Sequence, residues 1–450
     1  MSKPTARETA LDLLLAITKK HAYSQIVLNE TLNAGHLSDK DKGLVTTLVY
    51  GVLQQKLTLD YYLSSFVEKK RKIDDWVEQL LLISIYQKAF LDRIPDHALV
   101  NEAVTIAKKR GHRGISGFVN GVLRRILREG LPDLSQIEPE RKRNAIMYSH
   151  PEWLMDLWEA QWDRETAVKI AEADNLPPNV SIRVNRFKAT RQELADQLAA
   201  ENIETLPGIL SPDALIVKSG NAVQSQAFRE GYFTIQDESS MLVADAAAPK
   251  EGMLVLDACA GPGGKTTHLA ERMANRGRIV ALDLHPHKAQ LIDHAAERLG
   301  LTNIETHAMD ARSARSKLGE ACFDRVVLDV PCSGLGVIRR KPEIKWTKSA
   351  DEIKGLIPIQ QMILEEAALL VKPGGWLIYS TCTIHKDENE KQMAVFLANH
   401  PNFCAEKSFA KRMPKAMIDT RDGMLQIMPY MFQTDGFFIC CLERLKDGLS

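Results

Sequence analysis

The chain has 450 residues with 58 Lys and Arg against 58 Asp and Glu, so its formal net charge is zero. Its composition, 45% hydrophobic and 26% charged, is that of an ordinary globular protein and excludes collagen-like, disordered and disulfide-scaffold classes. No apolar run approaches the ~20 residues that span a bilayer, the first residues are charged, and the odd number of cysteines indicates reduced thiols. We therefore expect a cytoplasmic protein of two to four domains that does not contact a membrane.

The even charge balance hides an uneven distribution. Residues 1–150 hold 23 Lys and Arg against 17 Asp and Glu, a net of +6, which leaves −6 for residues 151–450. Between Thr105 and Arg128, seven basic residues occur with four glycines and no acidic residue. These are Lys108, Lys109, Arg110, Arg113, Arg124, Arg125 and Arg128. Such a run is often only a solvated helix face. It also fits a surface that contacts phosphates, and we predict RNA contacts for it.

The front of the chain has the pattern of helices. Apolar residues such as Val45 and Leu48 recur at helical spacing, and Ser38 followed by Asp41 is typical of a capped helix start. No strand pattern appears in this part. We therefore predict an all-α bundle over residues 1–140.

Residues 141–235 have a mixed pattern. After two helical stretches, the alternating residues Val180–Asn185 predict a strand, Arg191–Ala200 a helix and Leu215–Lys218 a second strand. This βαβ-like order predicts a small α+β module, to which we assign a linking and RNA-binding role.

Strand and helix candidates alternate over residues 236–450. This order favours a parallel sheet with helices on both faces. The strand candidates are Leu254–Leu256, Ile279–Leu282, Ile304–Thr306, Arg325–Leu328 and Trp376–Tyr379. Ligands of such sheets bind beyond the carboxyl ends of the strands, so we expect the functional residues at these ends.

A glycine-rich loop follows the first of these strands. Its central residues are Cys259, Ala260, Gly261, Pro262, Gly263, Gly264 and Lys265. A phosphate-binding P-loop requires a glycine where Cys259 stands, and a dinucleotide fingerprint that starts at Gly261 requires one at Thr266. Both patterns fail, which argues against a pyrophosphate ligand.

Acidic residues follow the next two strands. Asp283 stands where a carboxylate can accept from both hydroxyls of a ribose, and Asp310 stands within reach of an adenine amine. Each aspartate alone is equally well explained as a helix cap. The two together, after a glycine-rich loop, predict a nucleoside ligand without a pyrophosphate, and S-adenosylmethionine (SAM) is the candidate cofactor.

Cysteines follow the fourth and fifth strands, Cys332 in a Pro-Cys sequence and Cys382 in a Thr-Cys sequence. Adjacent strands would place both thiols at one edge of the sheet, and the lack of a C-x-x-C pair argues against a metal site.

A thiolate next to SAM can activate a cytosine, because its addition to carbon 6 makes carbon 5 nucleophilic. Asp329 would hold N3 and the amine of the base. The base must be unstacked, which fits looped RNA. The spacing leaves open which cysteine attacks.

Together these motifs resemble the RNA cytosine-C5 methyltransferase family. The resemblance rests on Asp329–Gly334, Thr381–Thr383 and Asp257–Thr266, and Gln236–Ser240 and Arg339–Trp346 fit the same family. The helical front resembles the antitermination factor NusB. This combination is typical of bacterial methyltransferases that act on the RNA of the small ribosomal subunit.

The resemblance implies a NusB-like all-α domain, the small α+β module and a Rossmann-like class I SAM-dependent methyltransferase domain. It implies that Cys382 is the nucleophile and that Cys332 helps to release the product. It also implies SAM contacts from the Cys259–Lys265 loop and from Asp283, Asp310 and Asp329. Gly261 departs from the alanine that is common in the family, which we expect to leave the loop undisturbed.

The implied substrate is a cytosine in a hairpin loop of 16S rRNA, methylated by a monomer before the subunit is assembled. Arg339, Arg340 and Lys345 follow the Pro-Cys turn, and we predict that they contact the RNA backbone near the target base. The alternative for this strip is an ordinary exposed loop.

Two other functional classes remain as alternatives. A non-catalytic RNA-binding or antitermination factor would explain the helical front, but the intact Cys332 and Cys382 count against it. A different nucleotide-using enzyme is disfavoured by the two loop patterns that fail.

Overall fold

The computed structural model describes residues 4–20, 24–34, 37–68, 72–414, 420 and 422–446. The chain forms two compact units. The first, which we call the helical unit, comprises Met1–Leu176 and Ile338–Lys348. The second, the sheet unit, comprises Pro177–Val337 and Ser349–Ser450. The helical unit thus includes a short segment from far along the chain.

The helical unit has no strand among its described residues, so the predicted all-α front is confirmed. Its helices are α1 (Ala6–Lys20), α2 (Ser24–Asn33), α3 (Asp39–Gln54), α4 (Lys56–Ser64), α5 (Asp75–Phe90), α6 (Asp96–Arg110), α7 (Arg113–Glu129), α8 (Glu140–Met147), α9 (Glu152–Gln161) and α10 (Arg164–Asp174). Ser38 caps α3 by accepting from the backbone N–H of Asp41, as its sequence predicts. Helix α5 is buried around most of its circumference and packs against α1, α3, α4, α6 and α7.

A small antiparallel sheet opens the sheet unit. Its elements are β1 (Val180–Val184), α11 (Arg191–Ala200), β2 (Glu204–Pro207), β3 (Ala214–Ser219), α12 (Gln226–Arg229) and β4 (Phe233–Ile235), with the strand order β2-β3-β1-β4. The two predicted strands and the predicted helix are present. They do not form a βαβ unit, because β1 and β3 pair antiparallel. Sequence periodicity missed β2 and β4 because they have only four and three residues.

The large sheet follows in the same unit. Its strands are β5 (Leu254–Asp257), β6 (Arg278–Asp283), β7 (Ile304–Ala308), β8 (Phe323–Asp329), β9 (Val371–Thr381), β10 (Phe403–Ala405), β11 (Met424–Ile427) and β12 (Phe437–Arg444). The order is β10-β12-β9-β8-β5-β6-β7, with β11 paired to β12. The five predicted strands run parallel to one another, whereas β12 pairs antiparallel with β9. The sheet is therefore mixed rather than wholly parallel.

Helices cover both faces of the large sheet, as predicted. They are α13 (Glu238–Ala247), α14 (Gly264–Arg272), α15 (Pro286–Leu299), α16 (Arg315–Leu318), α18 (Ala350–Leu370), α19 (Glu390–Asn399) and α20 (Phe409–Arg412). Helix α17 (Ile344–Thr347) belongs to the helical unit. Alternate strand residues enter two separate cores, Val255 and Val327 on one face and Leu256 and Val326 on the other. Within the described ranges, no helix is both long and apolar enough to cross a membrane.

Candidate active site

The carboxyl ends of the parallel strands bring the two cysteine loops together. Strands β8 and β9 are neighbours, and their register pairs Asp329 with Ser380. Cys332 lies three residues beyond Asp329, and Cys382 lies two residues beyond Ser380. The two sulfur atoms lie 3.4 Å apart. Both thiols are partly exposed, so they share one accessible position at the edge of the sheet.

The two thiols interact directly. The hydrogen bond to Cys382, together with burial, raises the pKa of Cys332 well above the usual value of a thiol. Cys332 is therefore protonated at neutral pH and able to donate a hydrogen bond to its neighbour. A protonated thiol beside a second sulfur is an arrangement that can assist covalent chemistry at that second sulfur.

A lysine–carboxylate pair lies at the same strand ends. The Nζ of Lys265 lies 2.6 Å from Oδ2 of Asp329, and the hydroxyl of Ser380 donates to Oδ1 of Asp329 at 3.1 Å. Burial alone would lower the pKa of Lys265, but the neighbouring Asp329 raises it above its ordinary value. The Lys265 ammonium also lies 5.2 Å from the centre of the Phe437 ring. Lys265 thus stays charged and holds Asp329 in one orientation.

The glycine-rich loop connects β5 to α14. Asp283, at the end of β6, accepts from the backbone N–H of Gly261 at 3.0 Å and from that of His285 at 2.9 Å. A Cβ atom at Gly261 would lie 2.3 Å from Oδ2 of Asp283. Asp283 therefore approaches the loop closely because residue 261 has no side chain. This is the structural role of Gly261, which stands where alanine is common in the family.

Carboxylates outnumber basic side chains around the loop, where Lys265 pairs with Asp329 and Arg312 pairs with Asp310. Burial, and then the charges of four carboxylates, raise the pKa of the Cys259 thiol. The carboxylates are those of Asp257, Asp329, Asp283 and Asp310. Burial, strengthened by the charge of Asp329, also raises the pKa of Asp257 to about 6. Such a site suits a nucleoside ligand that carries positive charge.

Asp310 also acts as a cap. Its Oδ1 accepts from the backbone N–H of Arg312 at 2.9 Å, and its carboxylate pairs with the guanidinium of Arg312 at 2.6 Å. The capping role that the sequence allowed for this residue is thus present.

The small antiparallel sheet supports the loop helix α14 through one arginine. Arg183 on β1 is fully buried, forms a bidentate ion pair with Glu271 and donates to the carbonyl of Gly264 at 2.6 Å. Gly264 is the first residue of α14. The small sheet therefore fixes the position where the glycine-rich loop becomes a helix.

Sequence reasoning did not identify Glu388. Its side chain is fully buried and accepts hydrogen bonds from the backbone N–H and the hydroxyl of Ser333, the residue after Cys332. It lies in the polar stretch Lys386–Glu390, where nothing in the pattern distinguishes a buried carboxylate from a solvated one.

The basic run on α6 and α7 is largely exposed, and part of its charge is paired. Lys109 bonds to Glu8 at 2.8 Å and Arg110 forms a bidentate pair with Asp12. Arg125 and Arg128 both pair with Glu129 at 2.9 Å. Lys108, Arg113 and Arg124 are exposed, and Arg124 donates to Asn120 rather than to an acid.

The second basic strip, for which we predicted RNA contacts, is not the exposed loop that the alternative reading described. The side chains of Arg339 and Lys345 are buried, at 8% and 1% exposure, and Arg340 is half-buried. Lys345 donates to the carbonyl of Gln54 at 2.7 Å, and the indole of Trp346 donates to that of Leu53 at 2.8 Å. The apolar and aromatic residues of this strip draw it into the helical unit, so Lys345 is not available to RNA phosphates.

Comparisons with known proteins match all three parts of the chain. The family model for 16S rRNA methyltransferase RsmB/F matches residues 244–443, the NusB family model residues 4–128, and the ferredoxin-like domain of the RsmF/B-like methyltransferases residues 150–224. The predicted three-part fold and SAM as the cofactor are thereby confirmed.

Relatives of similar length cover nearly the whole chain. The probable ribosomal RNA small subunit methyltransferase B of Bacillus subtilis (strain 168) is 49% identical over 99% of this chain and 100% of its own. The corresponding protein of Synechocystis sp. (strain PCC 6803) is 36% identical over 98% of this chain and 99% of its own. The crystal structure of PH0851 is similar with a TM-score of 0.83 and 29% identity, over 99% of this chain and 100% of its own. The chain belongs to the RsmB/F family of SAM-dependent 16S rRNA methyltransferases.

Proposed function

We propose that the protein methylates carbon 5 of one cytosine in 16S rRNA through a covalent bond between Cys382 and carbon 6 of the base. The observation that carries this proposal is the 3.4 Å separation of the Cys332 and Cys382 sulfurs at the ends of adjacent strands, beside the Lys265–Asp329 pair. Methylation of an exocyclic amine or a ribose hydroxyl has no need of paired thiols.

The loop Cys259–Lys265 and the carboxylates of Asp283, Asp310 and Asp329 are the proposed contacts of SAM. Support comes from the four aspartates at this loop, Asp257, Asp283, Asp310 and Asp329, of which two pair with Lys265 and Arg312. The net negative charge that remains favours a cofactor with an ammonium and a sulfonium group. When bound, SAM supplies an electrophilic methyl group. The backbone amides at the start of α14 would be the donors to a ligand that approaches the loop.

The protein's own residues would carry the covalent chemistry. The Cys382 thiolate forms an S–C6 bond, and the electron pair of the C5=C6 bond moves to carbon 5, the atom proposed to be methylated. Asp329, held by Lys265 and Ser380, would accept a hydrogen bond from the amine of the base, and from N3 when N3 carries a proton. Solvent water then takes the proton of carbon 5, and the electron pair of that C–H bond reforms the C5=C6 bond. The S–C6 bond breaks at the same time and its electron pair returns to Cys382. The Cys332 thiol would donate to this departing thiolate.

The exposed basic residues of α6 and α7 are proposed to contact RNA phosphates, with Lys108, Arg113 and Arg124 as the residues whose charge is not paired with an acid in the described part of the chain. Action on 16S rRNA before subunit assembly, as a cytoplasmic monomer, belongs to the same proposal.

The test is to incubate the full chain with methyl-labelled SAM and unmodified 16S rRNA. Nucleoside mass spectrometry should find the label in 5-methylcytidine, and bisulfite sequencing should place it at one position. Label in N4-methylcytidine, in a 2′-O-methylated nucleoside or in no nucleoside would contradict the proposal. Assembled small subunits, tested in parallel, should accept less label than the free RNA.

A further inference from the structure

Glu388 is a buried carboxylate between β9 and α19. Both of its oxygens are used: Oε2 accepts from the backbone N–H of Ser333 and from the Gln360 amide, each at 2.9 Å, and Oε1 accepts from the Ser333 hydroxyl at 2.5 Å. The Gln360 amide also donates to the carbonyl of Pro331 at 3.0 Å. Ser333 and Pro331 are the two neighbours of Cys332 in the chain. The carboxylate therefore holds the Pro-Cys turn on both sides of its cysteine.

The same network reaches the other cysteine. The hydroxyls of Ser333 and Thr383 are 2.8 Å apart, and Thr383 directly follows Cys382. Asn389, next to Glu388, accepts from the Thr381 hydroxyl at 2.6 Å and donates to the Thr383 carbonyl at 3.0 Å. The residues on either side of Cys382 are thus held by the residue that follows Glu388.

Burial of the Glu388 carboxylate has a high desolvation cost. Glu388 is 0% exposed, and the ion-pair partner found for it among the described residues is His385, with Nδ1 3.7 Å from Oε1. Burial lowers the pKa of His385, so this neighbour is mostly neutral near pH 7 and offers little charge compensation. A carboxylate kept there must accept several donors at once, which is what the turn around Cys332 requires.

We propose that Glu388 is a positioning residue that fixes the Cys332 thiol against the Cys382 thiol, through Ser333 on one side and Thr383 on the other. Because Glu388 is fully buried, the proposed role requires no contact with substrate or cofactor. Its significance for methyl transfer rests on the proposed function, whereas its effect on the geometry of the two thiols does not.

The geometry is tested without RNA or SAM. Diamide takes two electrons and two protons from a pair of thiols and leaves a disulfide, so the rate at which it joins Cys332 to Cys382 reports how the two sulfurs are held. Peptide mass spectrometry follows this disulfide separately from those of other cysteines. Glu388→Ala should form it at least tenfold more slowly than the wild type, since small losses of orientation reduce rates of closely positioned groups strongly.

Three further variants make the test specific. Glu388→Gln can accept from the Ser333 N–H and Gln360 through its oxygen while its amide donates to the Ser333 hydroxyl, so it should form the disulfide faster than Glu388→Ala. Ser333→Ala keeps the backbone link and loses the hydroxyl bridge, and it should be slowed even if Glu388→Ala fails to fold. Glu406→Ala is the matched control, because Glu406 also accepts from the N–H and hydroxyl of one serine, Ser408, away from the cysteine pair.

The activity readout separates the two proposals. The kcat of methyl transfer should fall by roughly 100-fold in Glu388→Ala, with the KM for SAM near that of the wild type. Disulfide formation at the wild-type rate in both Glu388→Ala and Ser333→Ala would overturn the positioning role. Slowed disulfide formation together with a wild-type protein that makes no 5-methylcytidine would leave the positioning role standing and refute the proposed function.

Discussion

Single residues at the strand ends acquire their chemistry from the residues that hold them. Asp329 is fixed by Lys265 and Ser380, and the hydrogen bond to Cys382, together with burial, raises the pKa of Cys332 and keeps it protonated. The strand ends themselves could be located from the sequence, because glycines, aspartates and cysteines interrupt apolar runs at these points. The residues that hold Asp329 and the Cys332 turn could not be located in this way. Ser380 and Glu388 are brought to the site only by the packing of the sheet.

The nucleophile assignment predicts a sharp difference between two cysteine variants. Cys382→Ala should lose methyl transfer by roughly 1000-fold or more, because it removes the sulfur that is proposed to add to carbon 6. Titration calorimetry should find its SAM affinity near that of the wild type. Cys404→Ala, which removes a half-buried thiol on β10, is the control and should retain turnover. Appreciable turnover in Cys382→Ala would remove it from the nucleophile role.

At the scale of elements, the short segment Ile338–Lys348 differs most from its sequence pattern. The sequence predicted a basic strip that contacts RNA, with an ordinary exposed loop as the alternative. In the structure Lys345 and Trp346 hydrogen-bond to carbonyls near the end of α3. Glu343 accepts from the N–H and hydroxyl of Ser24 at the start of α2. Charge along a segment does not show whether its long side chains can reach partners inside a bundle. Such long-range contacts are set by tertiary structure alone.

Burial of Lys345 predicts a specific dependence of stability on pH. Burial lowers the pKa of Lys345 to about 7, against an ordinary value of 10.5. Between these values the unfolded chain holds a proton that the folded chain lacks, so this residue's contribution to the free energy of unfolding rises with pH from 7 to 10.5. Urea unfolding of the wild type and Lys345→Met at pH 7 and pH 9 measures it.

The free energy of unfolding of the wild type, relative to Lys345→Met, should increase by on the order of 2 kcal/mol between the two pH values. Lys345→Met removes the titrating group while it preserves most of the buried volume, so groups common to both proteins cancel in the difference. A difference that does not change with pH would show that Lys345 keeps its ordinary pKa in the folded protein.

For the whole molecule, the net charge of zero hides how charge is distributed along the chain. A basic front with a net of +6 offsets an acidic remainder, and within the front several basic residues pair with Glu8, Asp12 and Glu129. Domain order followed from the sequence because the period of apolar residues changes from helical to alternating along the chain. The mixed character of the large sheet could not be predicted from the sequence. Its antiparallel strand β12 is buried on both sides, so polar and apolar residues do not alternate along it.

The exposed basic residues predict a salt-dependent weakening of RNA binding. Reversal of Lys108 and Arg113 to Glu should reduce the slope of log K against log salt by roughly one for each phosphate that the protein no longer neutralises. The control is the reversal of Arg276 and Lys354, whose side chains are 73% and 75% exposed in the sheet unit and which change the net charge equally. Equal slopes for the two double variants would return the α6–α7 run to ordinary solvated surface.

The most direct test of the account is to find the protein atom that bonds to the RNA. Cys332→Ala should be slow to release its product, so after incubation with SAM and 16S rRNA a protein–RNA adduct should persist on a denaturing gel. Mass spectrometry of the digested adduct should find a methylated cytidine on the peptide that contains Cys382. A nucleotide attached to any other residue, or 5-methylcytidine formed by the Cys382→Ala variant, would contradict the covalent mechanism proposed for this site.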